Sequence, residues 1–257
     1  MDLWCSVVDL RYRYTPDLEI EMTSVTFKND PDKAYAIYMD QGFFCEPDVL
    51  SAKECDAIIE AAKTLPSAKD GSFVPMMNVH KSPGLFFDAM SNPEIVGVMD
   101  RIIHGRAMGL HSQLYYTPPH RAGLGFHQDN YFVEAKGDAF ASAWIALVDV
   151  TSENGGLYCF AGSHKDGKLP VRKVETTGKD KRQAIYEETV LPKEYDKVDL
   201  SLKRGSVCYI HGYVVHGSHQ NMSTSNRYVL LNTYLRANEP FRAGNTAKRE
   251  EVELARA

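Results

Sequence analysis

Gly125-Phe126-His127-Gln128-Asp129-Asn130-Tyr131 is the stretch whose reading decides the fold. In extended backbone, residues i and i+2 point the same way, so His127 and Asp129 can turn an imidazole and a carboxylate toward one point. The spacing therefore predicts a strand over Phe126–Phe132. Two imidazoles and one carboxylate suit one face of an iron(II) ion and leave the opposite face open. The third ligand must then come from a distant strand. His216, within His211-Gly212-Tyr213-Val214-Val215-His216-Gly217-Ser218, is placed to supply it. Arg227 follows, inside Asn226-Arg227-Tyr228-Val229-Leu230-Leu231. His211 stands at an odd spacing before His216, so in an unbroken strand the two face opposite sides and this segment offers one ligand.

The flanking sequence supplies the strands that such a site needs. Short extended runs are expected at Leu110–Tyr116, Phe140–Val150, Leu157–Phe160, Val207–Ile210, Tyr213–His216 and Tyr228–Leu235. Glu153-Asn154-Gly155-Gly156 carries a turn signature between two of them. Upstream, Gly42-Phe43-Phe44-Cys45 reads as a core strand, and Met76-Met77-Asn78-Val79-His80 as a strand or loop near the site. Helices are expected at Asp32–Tyr38, at about Ala52–Leu65 behind the capping box Ser51-Ala52-Lys53-Glu54, and after Asn92-Pro93-Glu94. A further strand is expected near Met1–Leu10 and a peripheral helix in the charged tail after Pro240. Short strands at close spacing after two helices predict a mainly β, cupin-like jelly roll with flanking α-helices. The expected organisation is a single domain over 1–257. It comprises an N-terminal extension (1–40), a core (41–236) with a polar lid or insert at 162–197, and a tail (240–257).

Composition narrows the class. The 257 residues carry 29 Lys and Arg against 34 Asp and Glu, a formal charge of −5. That balance argues against nucleic acid as a partner. Five cysteines without a C-x-x-C fit free thiols in a reducing, cytoplasmic compartment. No stretch is apolar enough to span a bilayer, and the N-terminus lacks a signal-peptide pattern. The expected partner is a small molecule, with the oligomeric state open.

The ordered blocks Pro118-Pro119, Phe126-His127-Gln128-Asp129, Trp144-Ile145-Ala146-Leu147, Glu153-Asn154-Gly155-Gly156-Leu157 with Ala161-Gly162-Ser163-His164, and His211-Gly212 through Val215-His216-Gly217-Ser218 to Arg227 resemble the phytanoyl-coenzyme A dioxygenase family. That family comprises iron(II)- and 2-oxoglutarate-dependent oxygenases, and the likeness spans roughly residues 41–236. The resemblance implies a double-stranded β-helix core, with Fe(II) held by His127, Asp129 and His216. It implies 2-oxoglutarate as co-substrate, consumed with O2 to give succinate and CO2. The same resemblance assigns Arg227 and Ser218 to the far carboxylate of 2-oxoglutarate, and a guanidinium fork suits that group physically. Gln113, Gln128 and Trp144 resemble co-substrate pocket positions; the alternative for each is ordinary lining of the fold. Thr117 departs from the family, which often carries Lys before the Pro-Pro step. With Asp129 present, hydroxylation or another oxidation is favoured over halogenation.

Near the open metal face, Tyr115, Asn130, Tyr131, Phe132 and Asn78 are candidates for substrate contact, with structural packing the alternative for each. Lys165, Lys168, Arg172, Lys173, Lys179, Lys181 and Arg182 in the insert could steer an anion or form a solvated face. The expected reaction is oxidation, foremost hydroxylation, of an unactivated C–H bond in a small molecule. Desaturation, cyclisation and epimerisation use the same cofactors. A zinc-dependent or non-catalytic cupin-like protein is the rival from a different class.

Overall fold

The computed structural model describes residues 13–14, 25–65, 76–81, 84–173 and 187–256. Two sheets face each other across a shared apolar layer. The larger joins β2 (Phe43–Glu46), β10 (Val207–His211), β5 (Phe140–Ala146), β12 (Arg227–Arg236), β4 (Ala107–Thr117) and β3 (Met76–Met77), in that spatial order and antiparallel throughout. The smaller orders β1 (Arg13–Tyr14), β9 (Asp196–Asp199), β6 (Leu157–Phe160) and β11 (His216–Ser218). Among the described residues the sheets do not close into one hydrogen-bonded barrel. The arrangement is a jelly roll, mainly β with a few helices.

Alternation along the strands builds the two cores. Phe43, Trp144, Cys208, Ile210, Val229 and Leu231 of the larger sheet meet Leu157, Cys159 and Val198 of the smaller. The other face presents Phe44, Ala143, Ile145, Tyr209, Leu230 and Tyr234 to the helices. Because β5 is buried on both faces, its sequence is apolar almost throughout rather than alternating. The helices are α1 (Pro31–Gln41), α2 (Ala52–Lys63), α3 (Leu85–Met90), α4 (Pro93–Ile102) and α5 (Asp129–Val133). At α1, Asp30 caps the start, Pro31 takes the first turn, and left-handed Gly42 ends it. The Ser51/Glu54 box caps α2 as its sequence indicates, a device worth about 1 kcal/mol. Asn92 accepts from the Glu94 and Ile95 amides at α4.

Several expectations are corrected. No strand forms over Phe126–Phe132: His127 makes a single bridge to His216, and Asp129 opens helix α5. β10 ends at His211 and β11 begins at His216, so these two histidines do not share an unbroken strand. The insert is not one long loop: β7 (Val171–Lys173) pairs with β8 (Glu187–Thr189), and β9 joins the smaller sheet. No helix forms in the described tail. Lys248 and Gly244 are left-handed, with φ of +47° and +73°, which breaks any helical run. Val252 instead bridges Gly109 on β4. The expected Met1–Leu10 strand lies outside the described residues. No helix among the described residues is long and apolar enough to cross a membrane.

Candidate metal centre

Backbone pairing sets the two imidazoles side by side. His127 extends the edge of the smaller sheet: its N–H donates to the His216 carbonyl at 2.8 Å, and the His216 N–H donates back at 3.0 Å. Their ring centroids are 4.5 Å apart. Gln128 is extended, with φ −111° and ψ 126°, so Asp129 turns to the same side as His127. One ligand atom from each of His127, Asp129 and His216 lies within 4.8 Å of the others. Asp129 Oδ1 stands 3.4 Å from His127 Nε2 and 3.7 Å from His216 Nε2.

The tautomers follow from the partners. His127 Nδ1 lies 2.9 Å from the Gly125 carbonyl and His216 Nδ1 3.2 Å from that of Val214. A carbonyl only accepts, so each Nδ1 carries the hydrogen and each Nε2 offers a lone pair to the common point. Ser142 Oγ donates to Asp129 Oδ2 at 2.6 Å and leaves Oδ1 facing the imidazoles. Burial alone would raise the Asp129 pKa. His216, then His127 and the Ser142 hydroxyl, outweigh it and hold the carboxyl well below its usual range. Burial also pushes His216 down to about 4, against the pull of Asp129. A neutral His216 and an ionised Asp129 are in the states a metal ligand needs, and His127 turns its Nε2 to the same point, so this donor set fits iron(II).

A cavity of about 280 Å³ opens onto these three residues. Arg227 lines it and is 5% exposed. Its Nη1 donates to the Gly155 carbonyl and its Nη2 to Thr117 Oγ1 at 2.8 Å, while its guanidinium lies 5.6 Å from the centre of the Trp144 ring. No carboxylate lies within ion-pair distance of it among the described residues, and its buried Nε has no partner. Burial lowers its pKa to about 10, so the charge persists at neutral pH. Thr117, where the family resemblance expects Lys, thus orients the arginine.

Ser218, Gln113, Trp144, Tyr115 and Phe132 also line the cavity. Ser218 Oγ accepts from the Leu124 amide at 2.9 Å, and the Tyr115 hydroxyl donates to Gln113 Oε1. Four other candidates are directed elsewhere. Gln128 donates to the Gly167 and Tyr213 carbonyls and accepts from the Leu169 amide, pointing away from the ligands it separates. Asn130 closes the turn after α5 through both its amide atoms and Ala135. Tyr131 donates outward to Glu187, and Asn78 holds the Ala247 carbonyl in the tail. Of the insert's basic residues, Lys165 pairs with Asp40, Lys168 with Glu134 and Arg172 with Glu188. Lys179, Lys181 and Arg182 lie outside the described residues. Sequence reading passed over Ser142, His111 and Arg249, all of which border the ligands or their cavity.

The family model for phytanoyl-CoA dioxygenase (PhyH) matches residues 38–229. The chain belongs to this family. The family comprises 2-oxoglutarate-dependent dioxygenases, which are oxidoreductases. One relative, named "Probable alpha-ketoglutarate-dependent hypophosphite dioxygenase" from Stutzerimonas stutzeri, is 29% identical over 224 residues, 78% of this chain and 77% of its own. The phytanoyl-CoA dioxygenase of Arabidopsis thaliana is 29% identical over 156 residues; the match covers 58% of this chain and only 52% of that protein. Among solved structures, the α-ketoglutarate-dependent carbocyclase SnoK of nogalamycin biosynthesis superposes with a TM-score of 0.69 at 21% identity, covering 91% of this chain and 96% of its own. The epimerase SnoN, solved with Fe3+, α-ketoglutarate and nogalamycin RO, gives 0.66 at 19% identity over 82% of this chain and 85% of its own. These two likenesses establish the shared fold.

Proposed function

We propose that this PhyH-family chain couples oxidative decarboxylation of 2-oxoglutarate to hydroxylation of an unactivated C–H bond in a small molecule. The observation that carries the reading is Arg227: a buried, charged guanidinium without a carboxylate partner, in the same cavity as two imidazoles and a carboxylate. A desolvated cation in that position is costly unless an anion completes it. The far carboxylate of 2-oxoglutarate is such an anion, and a guanidinium fork binds a carboxylate bidentately. Family membership supports the same co-substrate.

His127, Asp129 and His216 would hold iron(II), which with 2-oxoglutarate bound supplies dioxygen activation and yields succinate and CO2. The chain's own part is positioning. Gly125 and Val214 fix the imidazole tautomers, and Ser142 fixes the carboxylate. Thr117 and the Gly155 carbonyl aim Arg227 into the cavity. Trp144, Leu157 and Leu231 keep the space between arginine and ligands largely apolar. Ser218 and Gln113 are assigned to polar contact with the co-substrate. Tyr115 and Phe132 are assigned to the substrate side.

Ring closure or epimerisation is the second reading, favoured by the carbocyclase and epimerase on the same fold. The reaction is decided by which substrate hydrogen lies nearest the metal. Buried free thiols at Cys55, Cys159 and Cys208 support a reducing, cytoplasmic setting. Succinate release from 2-oxoglutarate, screened against a metabolite panel in wild type and His127→Ala, tests the proposal. Metal- and 2-oxoglutarate-dependent succinate, absent in the variant, is expected. A product gaining one oxygen marks hydroxylation; one losing hydrogen marks desaturation or ring closure. A wild type that neither binds nor turns over 2-oxoglutarate overturns the proposal and returns the zinc cupin as the better account.

A further inference from the structure

The cavity has a second polar end. Thr117 pairs with Arg227 and His111 with Thr233 along the antiparallel β4/β12 ladder. Arg227 and Thr233 are the two ends of the inward row Arg227, Val229, Leu231, Thr233, about 20 Å apart by strand rise. On the other side of β12, Ser142 of β5 stands opposite Thr233, and Ser142 holds the Asp129 carboxylate. The metal ligands therefore lie toward the His111–Thr233 end. A co-substrate reaching from Arg227 to the metal leaves that end to the molecule being oxidised.

Two side chains there want an acceptor. His111 is 1% exposed, lines the cavity, and has no partner for Nε2. Among the described residues its ring has one hydrogen-bond partner, Gln113, at 3.3 Å from Nδ1. Burial, reinforced by the charge of Arg249, keeps its pKa near 4 and the ring neutral. An orphaned imidazole nitrogen in a buried wall is costly unless a ligand meets it. Arg249 enters the same wall from the tail, which the Val252–Gly109 bridge ties to β4. Its Nη1 donates to the Phe132 carbonyl at 3.1 Å and to that of Arg242 at 3.3 Å. Among the described residues no carboxylate lies within ion-pair distance of it, although the Asp129 charge acts on it from the same cavity, and its hydrogen bonds all use Nη1. The charges of the loaded site point the same way. Asp129 and the 2-oxoglutarate dianion offset iron(II) and Arg227, and the Arg249 charge is left over.

We propose that the primary substrate carries a small oxyanion group, a carboxylate, phosphonate or phosphinate, received by Arg249 and His111 Nε2 at the end of the cavity away from Arg227. The inference rests on the assignment of Arg227 to 2-oxoglutarate. It specifies substrate class: a compact anion whose reacting C–H bond lies near its charged group. Arg249 and His111 are specificity residues in this account.

Calorimetric titration of full-length protein, loaded anaerobically with iron(II) and saturating 2-oxoglutarate, tests it. The probes are methylphosphonate, phosphite and butyrate, with neutral butyramide as control. At least one anion should bind wild type and butyramide should not. Arg249→Gln should weaken that binding about tenfold or more, the worth of a charge-assisted hydrogen bond. Arg249→Lys should fall between, and His111→Gln should lose a few-fold. A melting curve on each variant reports folding, and Arg249→Lys carries the comparison if the glutamine variant is unstable. Binding of none of the anions, equal binding to Arg249→Gln, or equal binding of butyramide overturns the proposal. The charge-transfer absorption of iron(II) with 2-oxoglutarate, read on the same wild-type sample, reports the co-substrate assignment separately. If that band is missing while Arg249-dependent anion binding persists, the co-substrate assignment fails and the anion site stands.

Discussion

Ser142→Ala removes one hydroxyl and no charge, yet it should loosen the metal centre. In the wild type this hydroxyl donates to Asp129 Oδ2 at 2.6 Å and so keeps Oδ1 toward both Nε2 atoms. Two effects compete. Losing the donor raises the Asp129 pKa, but His216 and His127 already hold it far below neutrality, so the carboxylate stays ionised near pH 7. The change must therefore act through orientation. Partners of metal ligands are worth roughly 10- to 100-fold in metal affinity, or about 1.4–2.8 kcal/mol. The partly buried Oδ2 also loses its partner, which costs the metal-free protein about 1–3 kcal/mol. Anaerobic iron(II) titration at saturating 2-oxoglutarate reads the first effect, and urea denaturation of the metal-free protein reads the second. A Ser142→Ala metal affinity within about twofold of wild type would refute the argument. So would a loss that disappears at higher pH, since that marks charge rather than geometry.

Arg227→Lys keeps a charge but loses the fork between Gly155 and Thr117, so the KM for 2-oxoglutarate should rise about 100-fold. Thr117→Val, which removes only the Nη2 acceptor, should raise it about fivefold. Metal-free protein should lose stability as pH falls from about 6.5 to 4. Burial holds His111, His211 and His216 near 4 in the fold, so below 6.5 the unfolded chain takes up protons first. Each group contributes up to roughly 3 kcal/mol, and flat urea midpoints across that range would contradict this. Gly123→Ala would set a Cβ 1.8 Å from the Ser218 carbonyl, forcing the β11 segment to move. It should melt earlier by about 2 kcal/mol or more and bind iron(II) weakly; a wild-type melting curve would show the loop yields freely.

What the sequence reveals is governed by local geometry. His127 and Asp129 share a side because their separation fits extended backbone, and this survives although helix α5 begins at Asp129. The Ser51/Glu54 box is local and equally readable. The same parity sends Gln128 the other way, a signal present in the sequence that argued against a co-substrate role for it. Ser142 was hidden because β5 is buried on both faces, which erases the alternation that marks an inward polar residue. Arg249 was hidden for a different reason. Lys248-Arg249-Glu250-Glu251 resembles any solvated charge run, and only the left-handed Lys248 and the Val252–Gly109 bridge turn Arg249 into the cavity. His211 and His216 are separated by a break between strands that their spacing does not disclose.

The most direct measurement is anaerobic: iron(II) and 2-oxoglutarate are added to wild type and to His127→Ala, and the visible spectrum is recorded. The account predicts a weak charge-transfer band in the green for wild type, lost in the variant and dependent on both additions. A wild type without the band, or a variant that keeps it, would contradict the assignment of His127, Asp129 and His216 as the iron site.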